Sequence, residues 1–434
     1  MNETITSNNS AERAAELNIY ISFACVAACI IGGVYFKPLS FVALAICIVY
    51  LPSLDNTRIF SFLLMLFPFA GLFKLEPEGM SFFTAAELYS LLILMLRDRR
   101  LPRAPLIPLV AFSVLLVLRS SSYGELFKVI ASFLLLSFYT GTERKNHESP
   151  CSAFVCGVLT SSFTGLFVPY SQTMQQYVAP VSSYGGYDRF TGLNADPNYY
   201  SISLILAIVI LALRWITGRA STGISWLLLL FSVFFGTLTN SKSFLLMLAV
   251  VFVACMYLLL KYRRIKEFRA AMAVVAAFAV ITLILGGGIF AQITERLISS
   301  IKSGDVTTGR MGIWRGYMSA IAQSGPAELL LGNGIGAPLV NSKGPHNIYI
   351  EILYITGVVG FILYFALISV IMTRNKRSIR RRPENYLCLI VTAMMYFFLG
   401  GLTAYDLCFQ LMICYSVFNI DFDTLRRRAT EVQV

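Results

Sequence analysis

Apolar stretches of about twenty residues, separated by short charged segments, recur along nearly the whole chain. Runs of that length match the hydrocarbon thickness of a bilayer. In that medium no water is present to satisfy backbone N–H and C=O groups, so each run must close its hydrogen bonds internally as a helix. The composition agrees: 57% of the 434 residues are hydrophobic and only 13% charged, with mean hydropathy +0.70. A soluble domain could not cover its surface from such a composition. The expected fold is therefore all-α: a polytopic transmembrane helical protein with about 12–14 spans and a helical extracytosolic loop region. Candidate spans begin near Leu17, Pro38, Ile59, Met80, Ala104, Glu125, Cys151, Tyr199, Gly223, Phe244, Ala270, Asn347, Tyr386 and Leu402. The polar segment Met1 to Glu16 has no apolar core ending at a cleavage site, so no removable signal peptide is expected.

Lysine and arginine placement sets the orientation, because cytosolic loops retain positive charge. With the amino terminus inside, 24 of the 35 basic residues fall in inner segments. These are Arg13, Arg58, the run Arg97 to Arg103, Arg144, Lys145, Arg214, Arg219, and the runs Lys261 to Arg269, Arg374 to Arg382 and Arg426 to Arg428. The net charge of +12 then reflects topology and contact with membrane lipid headgroups, and no nucleic-acid partner is expected. The chain divides into an amino-terminal scaffold (1–170), a catalytic half with two outer loops (171–385, loops 171–198 and 292–346), and carboxy-terminal spans with a basic cytosolic tail (386–434).

Both outer loops are longer than a connection requires, which marks them as functional or disordered. In the second, Trp314, Tyr317, Met318 and Ile321 share one helical face, and Ser324, Gly325 and Pro326 end the helix. Such an aromatic, amphipathic helix suits the membrane interface. The stretch Gly332-Asn333-Gly334-Ile335-Gly336 is a tight turn, formed either for turn geometry alone or to let backbone approach a ligand.

Few residues offer chemistry. His147 lies in a charged inner loop and reads as a solvated side chain. His346 precedes the apolar run from Ile348, and it is expected in the first turn of an outward-facing helix N-terminus. There the dipole favours the neutral ring a general base requires; an interfacial histidine that caps the helix is the competing reading. Arg189 in the first outer loop, with Arg310 and Arg315 in the second, could fork onto the phosphate oxygens of a phosphorylated lipid ligand, bind lipid headgroups nonspecifically, or pair with Asp188, Asp196 or Asp305. Lys242 sits in a tight outer turn and could join the same cluster. Glu87, Glu351 and Asp406 fall inside apolar spans, where carboxylates are costly enough to be functional candidates or interhelical ties to basic residues. Glu351 is one helical turn below Asn347. Asp421 and Asp423 read as a solvated end beside the basic tail. The nine cysteines read as small buried hydrophobes. No P-loop, dinucleotide fingerprint or zinc spacing is present, so no cofactor and no metal is expected.

Four pieces of the chain together resemble the O-antigen ligase and O-antigen polymerase family. They are Arg189-Phe190-Thr191-Gly192-Leu193 with Asp196-Pro197-Asn198 after it, Thr239-Asn240-Ser241-Lys242-Ser243, Arg310 with Trp314 ahead of Gly332 to Gly336, and His346-Asn347 followed by Gly357 and Gly360. The resemblance implies a metal-independent membrane glycosyltransferase of polysaccharide biosynthesis in the cell envelope. It would lie in the bacterial inner (cytoplasmic) membrane, its active site facing the periplasm or cell exterior. Its donor would be an undecaprenyl-pyrophosphate-linked glycan and its acceptor a glycan hydroxyl, with other polysaccharide-assembly proteins as candidate partners. By the same resemblance Arg189 and Arg310 would bind the donor pyrophosphate and His346 would take the acceptor proton. Lys242 stands where relatives carry arginine and would play a supporting electrostatic part, alongside Arg315, Asn347 and Glu351. A repeat-unit polymerase is the favoured reading within the family and a ligase to lipid A core the alternative. A flippase for the same lipid-linked glycan is the rival from another class.

Overall fold

A computed structural model describes residues 2–77, 81–98, 103–142, 147–167, 172–177, 189–194, 196–217, 222–273, 295, 298, 302, 309–373, 382–402 and 405–422. The expected span near Ala270 lies outside these beyond residue 273, as do Asp188, Asp305, Asp423 and the basic run at 426–428. In chain order the helices are α1 (Asn2–Tyr35), α2 (Pro38–Tyr50), α3 (Asn56–Leu66), α4 (Phe82–Arg97), α5 (Arg103–Arg119), α6 (Tyr123–Gly141), α7 (Glu148–Phe167) and α8 (Gln172–Tyr177). They continue with α9 (Pro197–Ile216), α10 (Thr222–Leu238), α11 (Lys242–Lys261), α12 (Arg310–Ala322), α13 (Pro326–Leu331), α14 (Ile348–Thr373), α15 (Pro383–Tyr396) and α16 (Tyr405–Phe418). Among the described residues there is no strand beyond one isolated bridge between Lys74 and Ser81. Among the described residues, six helices are long and apolar enough to cross a membrane, and five shorter ones are also apolar. The protein is an all-α polytopic membrane protein. Side chains such as Val49, Ile107 and Leu118, each about three-quarters exposed, form the surface that hydrocarbon covers.

The chain forms two compact units. The first holds residues 1–101, 141–180 and 191–196, with α1–α4, α7 and α8. Its helices meet through small residues, as membrane helices do when no solvent drives them together. A Cβ on Gly157 of α7 would stand 2.4 Å from the Met65 carbonyl oxygen of α3. His147 belongs here, and its burial corrects the sequence expectation. It is only 7% exposed, because it directly precedes the first residue of α7 where the chain enters the bundle. The cysteines also need one correction across the protein: Cys25 is exposed and Cys29 and Cys156 partly so, while the other six are buried. All nine are free.

The second unit holds residues 102–140, 181–190 and 197–434. Helix α9 is apolar all round and buried along nearly its whole length, and it packs on α10, α11, α15 and α16. An all-apolar helix of this kind belongs in the middle of a bundle. One end of the unit is tied by basic and acidic groups. Arg264 donates to the Trp215 and Ile216 carbonyls at 3.2 and 2.7 Å, and the Tyr262 hydroxyl donates to Glu384 at 2.5 Å.

Helix α14 breaks at Gly357, whose φ of 63° and ψ of −172° suit only glycine. The break frees carbonyls that apolar surroundings cannot satisfy, and the Gly332–Gly336 loop supplies the donors. Asn333 donates its backbone and side-chain N–H groups to the Tyr354 carbonyl, both at 3.0 Å, and Gly334 N–H donates to that of Ile355 at 2.8 Å. The contact admits no side chain: a Cβ on Gly332 would lie 2.2 Å from the Ile355 oxygen. Arg119, at the end of α5, secures the loop by donating to the Gly332 carbonyl at 3.0 Å and approaching Glu328 at 3.5 Å. The glycines therefore admit the backbone of α14 and the end of α5.

Candidate functional site

At the end of the second unit opposite the Arg264 contacts, the α10–α11 turn, the start of α9, the α15–α16 turn and the start of α14 come together. Arg189 is 7% exposed. Its Nε donates to the Thr239 carbonyl at 3.0 Å and its Nη2 to Asn198 Oδ1 at 2.8 Å. The same Asn198 oxygen accepts from the Ser241 hydroxyl at 3.1 Å. Ser241 caps α11, whose first residue is the half-buried Lys242. Phe190 N–H donates to the Leu238 carbonyl at 2.9 Å. Three separated stretches of sequence thus close around one guanidinium, with Asn240 at φ 48° making the turn tight.

His346 stands elsewhere than expected. The N-cap of α14 is Asn347: its Oδ1 accepts from the Tyr349 and Ile350 N–H groups at 3.0 and 3.2 Å, and its carbonyl accepts from Glu351 N–H at 2.9 Å. Asparagine is among the strongest N-cap residues, so it takes that position and leaves His346 one residue outside the helix. His346 is exposed, in the left-handed region at φ 47°. It is neither a first-turn residue nor the cap.

Glu351, read as a functional candidate or a tie to a basic residue, makes its tie to backbone: Gly401 N–H donates to its Oε2 at 2.5 Å. The neighbouring Gly400 carbonyl accepts from the Tyr199 hydroxyl at 2.6 Å. Tyr199 adjoins Asn198, so the arginine side and the histidine side share the Gly400–Gly401 turn. The other intramembrane acids, Glu87 and Asp406, are buried, and Asp421 is exposed.

Helix α12 joins the histidine side. Trp314 Nε1 donates to the Pro345 carbonyl at 2.9 Å, and Tyr317 donates to that of Lys343 at 2.8 Å. Burial pushes the Tyr317 phenol pKa up. Trp314 also meets Phe397 edge to face, with ring centroids 5.3 Å apart. Arg310, partly exposed at the first residue of α12, lies one turn before Trp314 on the same face. Arg315 is exposed and sits about 140° around the helix from Arg310, so the two do not converge. The predicted apolar face is also narrower than expected. Tyr317 and Ile321 are buried, but Met318 is 48% exposed, because α12 packs on the 340–345 segment along one narrow line.

Residues 226–365 match the O-antigen ligase family model. No curated protein matches the chain. The O-antigen ligase match supports the resemblance seen in the sequence, and it takes in the Thr239–Lys242 turn, Arg310, Trp314, His346 and the Gly357 break. Arg189, Asn198 and Tyr199 lie outside it, yet the hydrogen bonds of Asn198 and Arg189 to Ser241 and Thr239 attach them to the O-antigen ligase segment. Sequence reasoning gave no role to Asn198, Tyr199 or the Gly400–Gly401 turn. A glycine pair between two apolar spans is the one local signal of close backbone approach.

Proposed function

We propose that this chain is a membrane glycosyltransferase of surface-polysaccharide assembly, acting on an undecaprenyl-pyrophosphate-linked glycan at the extracytosolic face of the bacterial inner membrane. The observation that carries the reading is the gathering of Arg189, Lys242 and the His346 helix at one end of the second unit, joined through the Gly400–Gly401 turn, in and beside the O-antigen ligase segment. In the proposed reaction the acceptor hydroxyl attacks the anomeric carbon of the donor glycan, and the bond from that carbon to pyrophosphate breaks. His346 takes the hydroxyl proton, and Arg189 with Arg310 stabilises the charge on the departing undecaprenyl pyrophosphate. Lys242 adds diffuse positive potential. Asn347 and Glu351 hold the start of α14, and Arg315 lends positive charge from the exposed face of α12.

Joining repeat units into a polymer is the favoured activity. Transfer of finished chains to lipid A core is the second reading, favoured by the description of the matched family. Deleting the gene in its host and sizing the surface glycan decides among them. Single units on the finished acceptor indicate a polymerase, and long chains left on the carrier lipid indicate a ligase. Lipid-linked single units trapped inside indicate a flippase and overturn the proposal.

Orientation follows from charge, because the opposite end of the second unit carries the Lys261 to Arg269 and Arg382 residues. In a cysteine-free variant, cysteine at Ser319 of α12 should react with an impermeant thiol reagent in intact spheroplasts, and cysteine at Ser53 should not. The reverse pattern would place the site inside.

Transfer is expected to need no divalent metal. Arginines can meet the leaving-group charge by themselves, and among the described residues no three histidine, cysteine, aspartate or glutamate side chains gather as a ligand set. The purified protein should keep its rate in chelator; loss restored by magnesium or manganese would refute this.

A further inference from the structure

The α15–α16 connection presents a problem of backbone chemistry. Leu399, Gly400, Gly401 and Leu402 are buried, so their N–H and C=O groups must find partners inside the protein. The chain has no room for side chains there: a Cβ on Gly400 would stand 2.6 Å from Glu351 Oε2, and Gly401 has φ 131°. The partners come from two different helices. Tyr199 of α9 donates to the Gly400 carbonyl, and Glu351 of α14 accepts from Gly401 N–H. Each contact adjoins one side of the site. Tyr199 follows Asn198, which holds Arg189 and Ser241. Glu351 closes the first turn of α14 onto Asn347, next to His346.

We propose that the Gly400–Gly401 turn is a strut that sets the distance between the arginine side and the histidine helix, with Tyr199 and Glu351 as its positioning residues. The inference rests on the glycosyl-transfer reading for its catalytic consequence and on the hydrogen bonds alone for its mechanical one. Both residues act through others. Glu351 Oε2 faces backbone N–H groups of the turn, and Tyr199 spends its hydroxyl proton on a carbonyl. A carboxyl group buried in a span and bonded by a turn also accounts for Glu351, since a buried polar group needs a hydrogen-bond partner. Reacting groups displaced by about 1 Å can lose on the order of 10²-fold in rate, so breaking the strut should show in turnover more than in binding.

The test uses the full-length protein in nanodiscs, with Tyr199→Phe, Glu351→Gln, Glu351→Ala and the Tyr199→Phe/Glu351→Ala double variant. Hydrogen exchange by mass spectrometry is read first. Glu351→Ala should speed exchange across 399–402 and also across 197–200 and 239–242, which Glu351 does not touch. A rise confined to 399–402 overturns the strut whatever the activity, while wild type inactive on a lipid-linked glycan would count against the transfer reading alone. Where transfer is measured, Tyr199→Phe should lower kcat about tenfold and Glu351→Ala about 10²-fold, each with donor KM within about threefold of wild type. Glu351→Gln should recover part of the loss, because its amide oxygen still accepts the Gly401 N–H. The double variant should be no slower than Glu351→Ala, because one broken strut cannot be broken twice. Additive losses, or a Glu351→Gln rate that loses the wild-type pH dependence, would make Glu351 a catalytic residue and overturn the positioning role.

Discussion

Alanine at Arg189 or at Arg310 should each lower kcat for glycan transfer about 10²- to 10³-fold, the usual loss when one preorganised donor to a developing charge is removed. Lysine at either position should recover little. Two N–H groups of Arg189 are committed to Thr239 and Asn198, and this fixes the plane of the guanidinium before any ligand arrives. A lysine has a single nitrogen on a flexible stem and cannot hold both partners and present a flat fork. The two alanine variants should differ in stability. Arg189→Ala leaves the Thr239 carbonyl without its arginine donor, at about 1–3 kcal/mol, and leaves Asn198 Oδ1 with Ser241 alone of its two donors, whereas Arg310 is partly exposed at the start of α12. Thermal unfolding in detergent should fall clearly for Arg189→Ala and less for Arg310→Ala, while both lose transfer. Near-normal rates for both lysine variants would reduce the arginines to diffuse positive charge.

What could be read before the structure was known follows the range of each signal. The spans were legible because twenty consecutive apolar residues allow one solution in hydrocarbon, and Pro326 and the glycines of 332–336 marked real stops and turns. Residues whose meaning depends on distant partners were not legible. Tyr199 and Gly400 are 201 positions apart and Glu351 and Gly401 are 50. No periodicity connects such pairs, so the sequence left Glu351 open between a functional group and a tie to a cation. Burial misled in a similar way. His147 has charged neighbours in sequence, yet it sits where α7 enters its bundle.

The placement of His346 turned on a local competition that the sequence did contain. In His346-Asn347-Ile348 the asparagine is the better N-cap, so the helix starts one residue later than an apolar count suggests. Gly357 poses the opposite case. Its position inside a long apolar run was plain, but a lone glycine there is compatible with an unbroken helix. Only the docking of Asn333 and Gly334 onto the carbonyls of Tyr354 and Ile355 makes the break stable.

His346→Ala should remove catalysis and leave folding and donor binding intact. The imidazole is exposed and outside the helix, and Asn347 makes the capping hydrogen bonds, so α14 keeps its N-cap when the ring is removed. Removing a general base costs about 10²- to 10⁴-fold in rate. The left-handed backbone at φ 47° strains most side chains by about 1–3 kcal/mol, and asparagine tolerates it better than alanine. His346→Asn is therefore the cleaner variant, because it keeps the turn and removes the base. The pH dependence gives the second arm. Only the neutral form of an imidazole accepts a proton. A rate that depends on proton uptake by His346 should rise with pH until the ring is neutral, and the residual rate of His346→Asn should lack that rise. The measurements are transfer rate against pH for the three proteins and binding of the lipid-linked donor at one pH. An asparagine variant with the wild-type rate and profile would reduce His346 to a turn residue, and one that loses donor binding would move it to the pyrophosphate side of the site.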